Sequence, residues 1–446
     1  MVSANSGEAR SRITGREWRV IALATFGYAI EYYDFMIYAV FAQYISSQMF
    51  PASDSATSIV QTFAVFAIGY LARPLGGVIL GHFGDRYGRR GTFLFSLLLV
   101  SLATLGMGLV PGYAQIGVLA TLVFTALRLV QGVCLGGVGA GALTYCVEVV
   151  PRRAGFACGL LFCLTVTGVI IANLVSSLVH HFLAPADVAA YGWRLAFVLG
   201  CALGIVALLV RRNIEESPEF LRIQSSVVRS PFSDLIRSYR PQLLVGICIV
   251  APNGILGGLL FAYMPVYLAK VVGYDPAIVP TAITLGSVVL AIFAVVYGWM
   301  SDLINRRLLY RIGMIALMVG AWPAYSVLAA KSADPVLVVT VSALFLALVT
   351  GTVGPLLADL FPSNVRFSAY GFCYNVSNAI FQGLAPLVAT YLIQANDLLP
   401  APAFCWIGGG VIGLLASFWI VALRRSALLA ESSPAKGAVP VAATPR

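Results

Sequence analysis

Long apolar runs separated by short polar intervals recur along this chain from residue 19 almost to its end. The runs are continuous rather than alternating, which predicts helices and not strands. About 20 apolar residues cross a hydrocarbon core, and with no water there each backbone group must be satisfied inside its own segment. The pattern places spans at 19–45, 59–81, 92–111, 117–148, 154–179, 194–211, 242–270, 276–298, 309–330, 335–361, 367–394 and 403–423, twelve in all. The polar interval near 211–241 divides them into two groups of six. The predicted organisation is therefore an N-terminal segment 1–18, a six-helix half 19–211, a linker 212–241, a second half 242–423 and a tail 424–446. The tail has no heptad pattern and reads as disordered. Within the linker, ESPEF (Glu216 to Phe220) has the signature of a helix start, with Ser217 as cap, Pro218 as first residue and Glu219 in the first turn. A short amphipathic helix on the membrane face is expected there.

Composition agrees with a membrane protein. The 446 residues are 60% hydrophobic and only 10% charged, against about 25% charged in soluble domains; mean hydropathy is +0.91. The net charge of +10 does not indicate nucleic acid, because the arginines sit in small groups between apolar runs, as topology signals do. Counting alternate intervals, one side receives Arg10, Arg12, Arg16, Arg86, Arg89, Arg90, Arg152, Arg153, the six arginines from Arg211 to Arg240, Arg306, Arg307, Arg311, Arg366 and the tail. The other side receives little beyond Arg194, Lys270 and Lys331. This bias predicts both termini in the cytoplasm. The basic start of the chain lacks a cleavage site, so the first run is expected to remain as a span. All eight cysteines fall in apolar runs without a CxxC pair, and the three histidines form no metal constellation. No cofactor, metal or catalytic group is expected.

One polar stretch occurs twice. GHFGDRYGRR (Gly81 to Arg90) comes after the second span, and GWMSDLINRR (Gly298 to Arg307) comes after the eighth. Gly298, Asp302, Arg306 and Arg307 repeat the spacing of Gly81, Asp85, Arg89 and Arg90 at an interval of 217 residues. EVVPRR (Glu148 to Arg153) and DLFPSNVR (Asp359 to Arg366) form a second pair, each with an acid three residues before a proline and arginine after it. Two six-helix halves related by an internal repeat are a transporter architecture, with solute held near the midplane. Glycines at 81, 84 and 88 suit tight turns and close helix approach. Asp85 can cap a neighbouring helix or pair with arginine, and Arg86, Arg89 and Arg90 can reach acids at helix ends, Glu148 first among them. A gate that latches and breaks at this end is expected from Asp85, Arg86, Arg89, Arg90, Glu148, Asp302, Arg306, Arg307, Asp359 and Arg366.

GHFGDRYGRR resembles the loop signature of the major facilitator superfamily, G-x-x-x-D-R-x-G-R-R, at every defined position, and Arg128-Leu-Val-Gln131-Gly132 resembles its R-x-x-Q-G element. EYYDF, ARPLGG, ESPEF and DLFPSNVR resemble its metabolite:proton symporter family, over nearly the whole chain. The resemblance implies a major facilitator fold of twelve helices, a multi-pass carrier of the bacterial inner membrane, and uptake of small organic acids or osmolytes with protons. That family's fourth helix usually continues G-G-E, where this chain has Gly136-Gly137-Val138.

Ionisable residues inside a span cost a few kcal/mol even on mild scales, so each marks a functional candidate. Glu31 and Asp34 lie in the first span, on one helix face, with Arg73 in the second and Arg128 in the fourth. Asp34 is the candidate proton carrier and Arg128 its partner, and the first and fourth helices of related sugar carriers bear a comparable acid and arginine. Glu31 as the titrating group stays open. Arg73 and Arg128 are candidate sites for a solute carboxylate, with Gln131 beside them. In the second half, Gly371, Asn375, Asn378 and Gln382 fall on one face of the eleventh span, and Tyr263 and Tyr267 offer hydroxyls from the seventh. The expected function is symport of a small carboxylate, such as a di- or tricarboxylate, by alternating access. An osmolyte or zwitterion symporter and a proton-driven drug exporter are the alternatives. The expected partners are solute, proton and lipid bilayer, with no nucleic acid, and the protein is expected to work as a monomer.

Overall fold

The computed structural model describes residues 14–50, 55–212, 231–275, 278–362 and 365–432. Twelve long helices form it: α1 (Gly15–Val40), α2 (Ser55–Tyr87), α3 (Arg89–Leu109), α4 (Val118–Val149), α5 (Ala154–Phe182), α6 (Trp193–Arg211), α7 (Arg240–Val272), α8 (Ile278–Leu303), α9 (Arg306–Ala329), α10 (Pro335–Ala358), α11 (Arg366–Asn396) and α12 (Pro402–Ser432). Among the described residues, eleven are long and apolar enough to cross a membrane. The remaining one, α1, carries Arg16, Glu17, Arg19, Glu31 and Asp34. The first six helices pack mainly among themselves, α2 on α4, α1 on α5 and α3 on α6, and the second six do likewise, α8 on α10 and α7 on α12. Two seams join the halves, α5 against α8 and α2 against α11.

Several boundaries differ from those that hydropathy predicts, for one physical reason. Hydropathy marks the apolar core, whereas a helix continues into the polar interface as long as its backbone bonds are made. Thus α2 runs through His82, Phe83, Gly84, Asp85 and Arg86 to Tyr87, and GHFGDRYGRR is not a loop but two helix ends joined at Gly88. Gly88 has φ +109°, a conformation that side chains disfavour. Likewise α8 extends to Leu303, and α12 reaches Ser432, into the tail expected to be disordered. In the linker, ESPEF lies outside the described residues. The short linker helix that is described, Pro231–Ser238, packs against α2, α7 and α11.

Helix axes approach closely where glycine permits it. A Cβ at Gly136 of α4 would run into the carbonyl of Arg73 on α2, and one at Gly77 would stand 2.7 Å from the Gly371 carbonyl oxygen on α11. With no hydrophobic force between helices in lipid, such contact is what holds them. At the end of the molecule opposite the arginine clusters, Arg194 of α6 donates to the carbonyls of Gly108 (2.9 Å) and Val110 (2.6 Å), closing the last turn of α3. Gly136→Ala should therefore cost about 3 kcal/mol or more, seen as a large drop in melting temperature in detergent. Gly91→Ala, whose Cβ meets nothing within 4 Å, should be neutral or slightly stabilising. Equal melting of the two variants would refute the close-packing account.

Candidate functional site

Where α1, α2 and α4 meet, two arginines share one ring. The Cζ of Arg128 lies 3.8 Å from the Phe35 ring centroid and that of Arg73 lies 4.3 Å from it. Arg128 also stacks on Tyr38 (4.5 Å) and Phe66 (4.9 Å), and Arg73 on Tyr70 (4.1 Å). Arg128 is wholly buried and Arg73 is 4% exposed. Desolvated cation–π contacts contribute about 2 kcal/mol or more each, which offsets part of the cost of two charges at this depth. Gly69 makes the room, since a Cβ there would sit 2.9 Å from Arg128 Nε.

The polar contacts of Arg128 are neutral ones. Its Nη1 donates to the Phe35 carbonyl (3.1 Å) and to Gln131 Oε1 (2.7 Å). The Gln131 amide donates in turn to the Asp34 carbonyl (3.1 Å) and to Thr104 Oγ1 on α3 (2.7 Å). Among the described residues no hydrogen-bond partner meets Nε or Nη2 of Arg128, Nε or Nη2 of Arg73, or either carboxyl oxygen of Asp34. The expected Asp34–Arg128 ion pair is therefore absent from this state. The Asp34 carboxyl turns away toward Gly200 on α6, and the two residues are joined only through Gln131 and the α1 backbone. Glu31 is equally buried.

In the second half the expected single polar face of α11 is split. The helix takes a π-helical turn over Asn378–Gln382, and such a turn inserts an extra residue and rotates the remainder of the helix. Before it, Asn375 faces the first half and donates to the Gly136 carbonyl (2.7 Å) as well as to Gly371 (2.7 Å). At the two ends of the turn, Asn378 lies against Gly254 of α7 and Gln382 against Gly254, Gly257 and Gly258. Asn378 donates to the Tyr374 carbonyl (2.8 Å). Tyr263 is buried, with an unpartnered hydroxyl among the described residues. The Tyr267 hydroxyl donates to the Leu399 carbonyl (3.0 Å) and its ring packs on Tyr325.

Several of the residues expected to form a gate lie along the seams between the halves. Asp302 accepts from the backbone N–H of Gly155 (2.8 Å) and Phe156 (2.9 Å), capping α5 from across the seam. Arg306 bridges Asp302 (3.3 Å) and Asp359 (3.2 Å). The acid Glu148 is met by Arg366 of the other half (3.4 Å), whereas Arg90 donates to the Arg212 carbonyl (2.7 Å). Arg307 takes the first turn of α9, its N–H held by Asn305 (3.1 Å). Gly81 and Gly84 abut Ser368 and Phe367 of α11, and Arg86 is exposed. The side chains of Asp85, Arg89 and Val138 lie outside the described ones. Thr104, Phe35 and Gly200 complete the site, and nothing in the sequence pattern singles out Thr104 or Gly200.

The profile of the Major Facilitator Superfamily matches residues 24–291. This chain belongs to that superfamily. The Sugar (and other) transporter profile matches residues 226–423 of the same facilitator. A putative proline/betaine transporter of Staphylococcus aureus (strain COL) is 32% identical over 407 residues, covering 89% of this chain and 86% of the relative. The glycine betaine/proline/ectoine/pipecolic acid transporter OusA of Dickeya dadantii is 29% identical, covering 96% and 86%. The proline/betaine transporter of Escherichia coli K12 is 28% identical, covering 96% and 87%. Among solved structures, the proton:xylose symporter XylE bound to 6-bromo-6-deoxy-D-glucose superposes with TM-score 0.74 at 15% identity, covering 91% of this facilitator and 95% of that chain. That likeness is one of fold, and it agrees with the twelve-helix, two-half architecture.

Removing the α5 cap should loosen the gate. Asp302→Ala should raise maleimide labelling of a cysteine at Ser301, buried at the seam, severalfold in a cysteine-free background. Labelling no faster than in the parent would show that the cap does not hold the seam.

Proposed function

We propose that this facilitator is a proton-coupled symporter for a small zwitterion bearing a carboxylate, of the proline and betaine kind, with Asp34 as the proton site. The observation that carries the reading is the pair of buried guanidiniums around Phe35, each with N–H groups that no described residue fills. A guanidinium presents a fork of donors that matches a carboxylate. The ring faces of Tyr32, Tyr70 and Phe35 around Arg73 suit the cationic end of a zwitterion. The relatives' names favour this class over the di- or tricarboxylate expected from the arginines alone, which was the weaker ground. Two arginines still match two carboxylates, and that is the one feature on which the dicarboxylate reading rests.

Asp34 suits proton carriage because its carboxyl is buried with no hydrogen-bond donor among the described residues. An ionised carboxylate so placed is costly, so the arrangement accommodates the protonated acid, leaving Arg128 free for solute. The arginine-rich end is read as cytoplasmic in a bacterial inner membrane, by charge bias. Its latches, Asp302 on α5 and Glu148 on Arg366, would break as the halves rock to release solute.

Proteoliposomes with an imposed pH gradient test this, using labelled proline, glycine betaine and a set of di- and tricarboxylates. Acid outside should drive accumulation of a zwitterion. Asp34→Asn should abolish gradient-driven accumulation yet keep exchange, and Arg128→Lys should cut solute affinity about tenfold or more. Accumulation that survives Asp34→Asn would remove Asp34 from the proton step. Accumulation of carboxylates alone would restore the organic-acid reading.

A further inference from the structure

We infer that solute and proton are coupled through a one-way chain of hydrogen bonds, Arg128 to Gln131 to Thr104 to Asp34, with Gln131 as the positioning residue at its centre. This rests on Asp34 being the proton site proposed above.

The geometry is directional. Arg128 Nη1 donates to Gln131 Oε1 at 2.7 Å, and Gln131 Nε2 donates to Thr104 Oγ1 at 2.7 Å. The second amide hydrogen of Gln131 goes to the Asp34 carbonyl at 3.1 Å, which fixes the amide against α1. The first two donors thus point away from the guanidinium and toward Thr104. Thr104 now gives its own hydrogen to the Val100 carbonyl at 3.0 Å. The Thr104 side chain stands beside the Asp34 carboxyl, both of them crowding the place where Gly200 lacks a Cβ.

The other groups facing Asp34 cannot do the same work. Glu31, on its own helix, repels an ionised Asp34. Tyr33 commits its hydroxyl to the Ala196 carbonyl at 2.8 Å. Cys201 on α6 is a weak donor. Around Arg128 stand the rings of Phe35, Tyr38 and Phe66, with Tyr70 and Arg73 close enough to act on its charge. Thr104 is therefore the donor that turns when Asp34 loses its proton, and a hydroxyl rotation suffices.

Bonds in such a chain polarise one another in a low-dielectric interior. A free guanidinium at one end supports an anion at the other. A solute carboxylate on Arg128 removes that support, so solute binding favours the protonated acid. By linkage, the protonated acid then favours solute. That is the sense symport requires, and it needs no contact between Arg128 and the Asp34 carboxyl.

Infrared titration of the substrate-free protein in lipid nanodiscs tests the chain without knowledge of the solute. The Asp34 carboxylic band is assigned by its loss in Asp34→Asn. Gln131→Leu and Thr104→Val should both move its midpoint to higher pH, by about tenfold in proton affinity, because each strips support from the ionised form. Thr104→Ser should titrate like the parent. A Gln131→Leu midpoint equal to the parent's would overturn the relay, since a residue touching only the Asp34 backbone would then be structural. An acid shift would overturn it too, as the mark of Arg128 turning onto the carboxylate. If Gln131→Leu does not fold, Gln131→Met takes its place with the same expected shift. A parent protein with no titrating Asp34 band would overturn the proton assignment itself, and the relay with it.

Discussion

Two positive charges on either hand of one phenyl ring, inside a membrane, set the terms for the rest of this protein. Arg73 and Arg128 can be held there only if their stems and planes are covered by aromatic faces and if neighbouring helices come close enough to exclude lipid. Phe35, Tyr38, Phe66 and Tyr70 supply the faces. Glycines at 69, 132 and 136 supply the proximity, because α2 and α4 meet there with no side chain between them. Asp34 then balances the charge at a distance instead of cancelling it by contact. Keeping Asp34 off the guanidiniums leaves their unfilled N–H groups available, which a fixed buried ion pair would not.

The same economy of contact appears at the arginine-rich end. Asp302 takes two backbone N–H groups of α5 and an arginine of its own chain turn. Charge–dipole contact and charge–charge contact are thus combined in one residue at a seam between the two halves. Both kinds of bond are worth little when flooded with water and more when the seam is dry. The latch therefore strengthens as it closes.

Much of this was legible in the chain. The number of spans, the two halves, the acids and arginines at depth and the repeated Gly-Asp-Arg pattern all come from hydropathy and spacing, because those are the quantities a bilayer selects on. Helix ends were not legible: α2 passes through Asp85 and Arg86 to Tyr87, since polar residues at an interface need not end a helix. Partners were only half legible. Glu148 is met by Arg366 from the far half, and no local pattern encodes a contact of that range. Gln131 was legible as a candidate, but its position between Arg128 and Thr104 depends on three helices at once. The organic-acid reading rested on counting arginines, which reports the charge a site can hold and says nothing about the other end of the solute.

The π-helical turn at Asn378–Gln382 has a bearing on how this chain can change over time. It sets the phase of everything beyond it in α11, at about 100° of rotation per residue. Loss of one residue there would keep hydropathy, length and composition almost unchanged while turning Gln382 and the rest of the helix off the α7 glycines. Gain or loss of a single codon in that short window is therefore a larger step for this protein than many substitutions in its core. A lineage that inherits the turn inherits, with it, which side chain of α11 meets the α7 glycines.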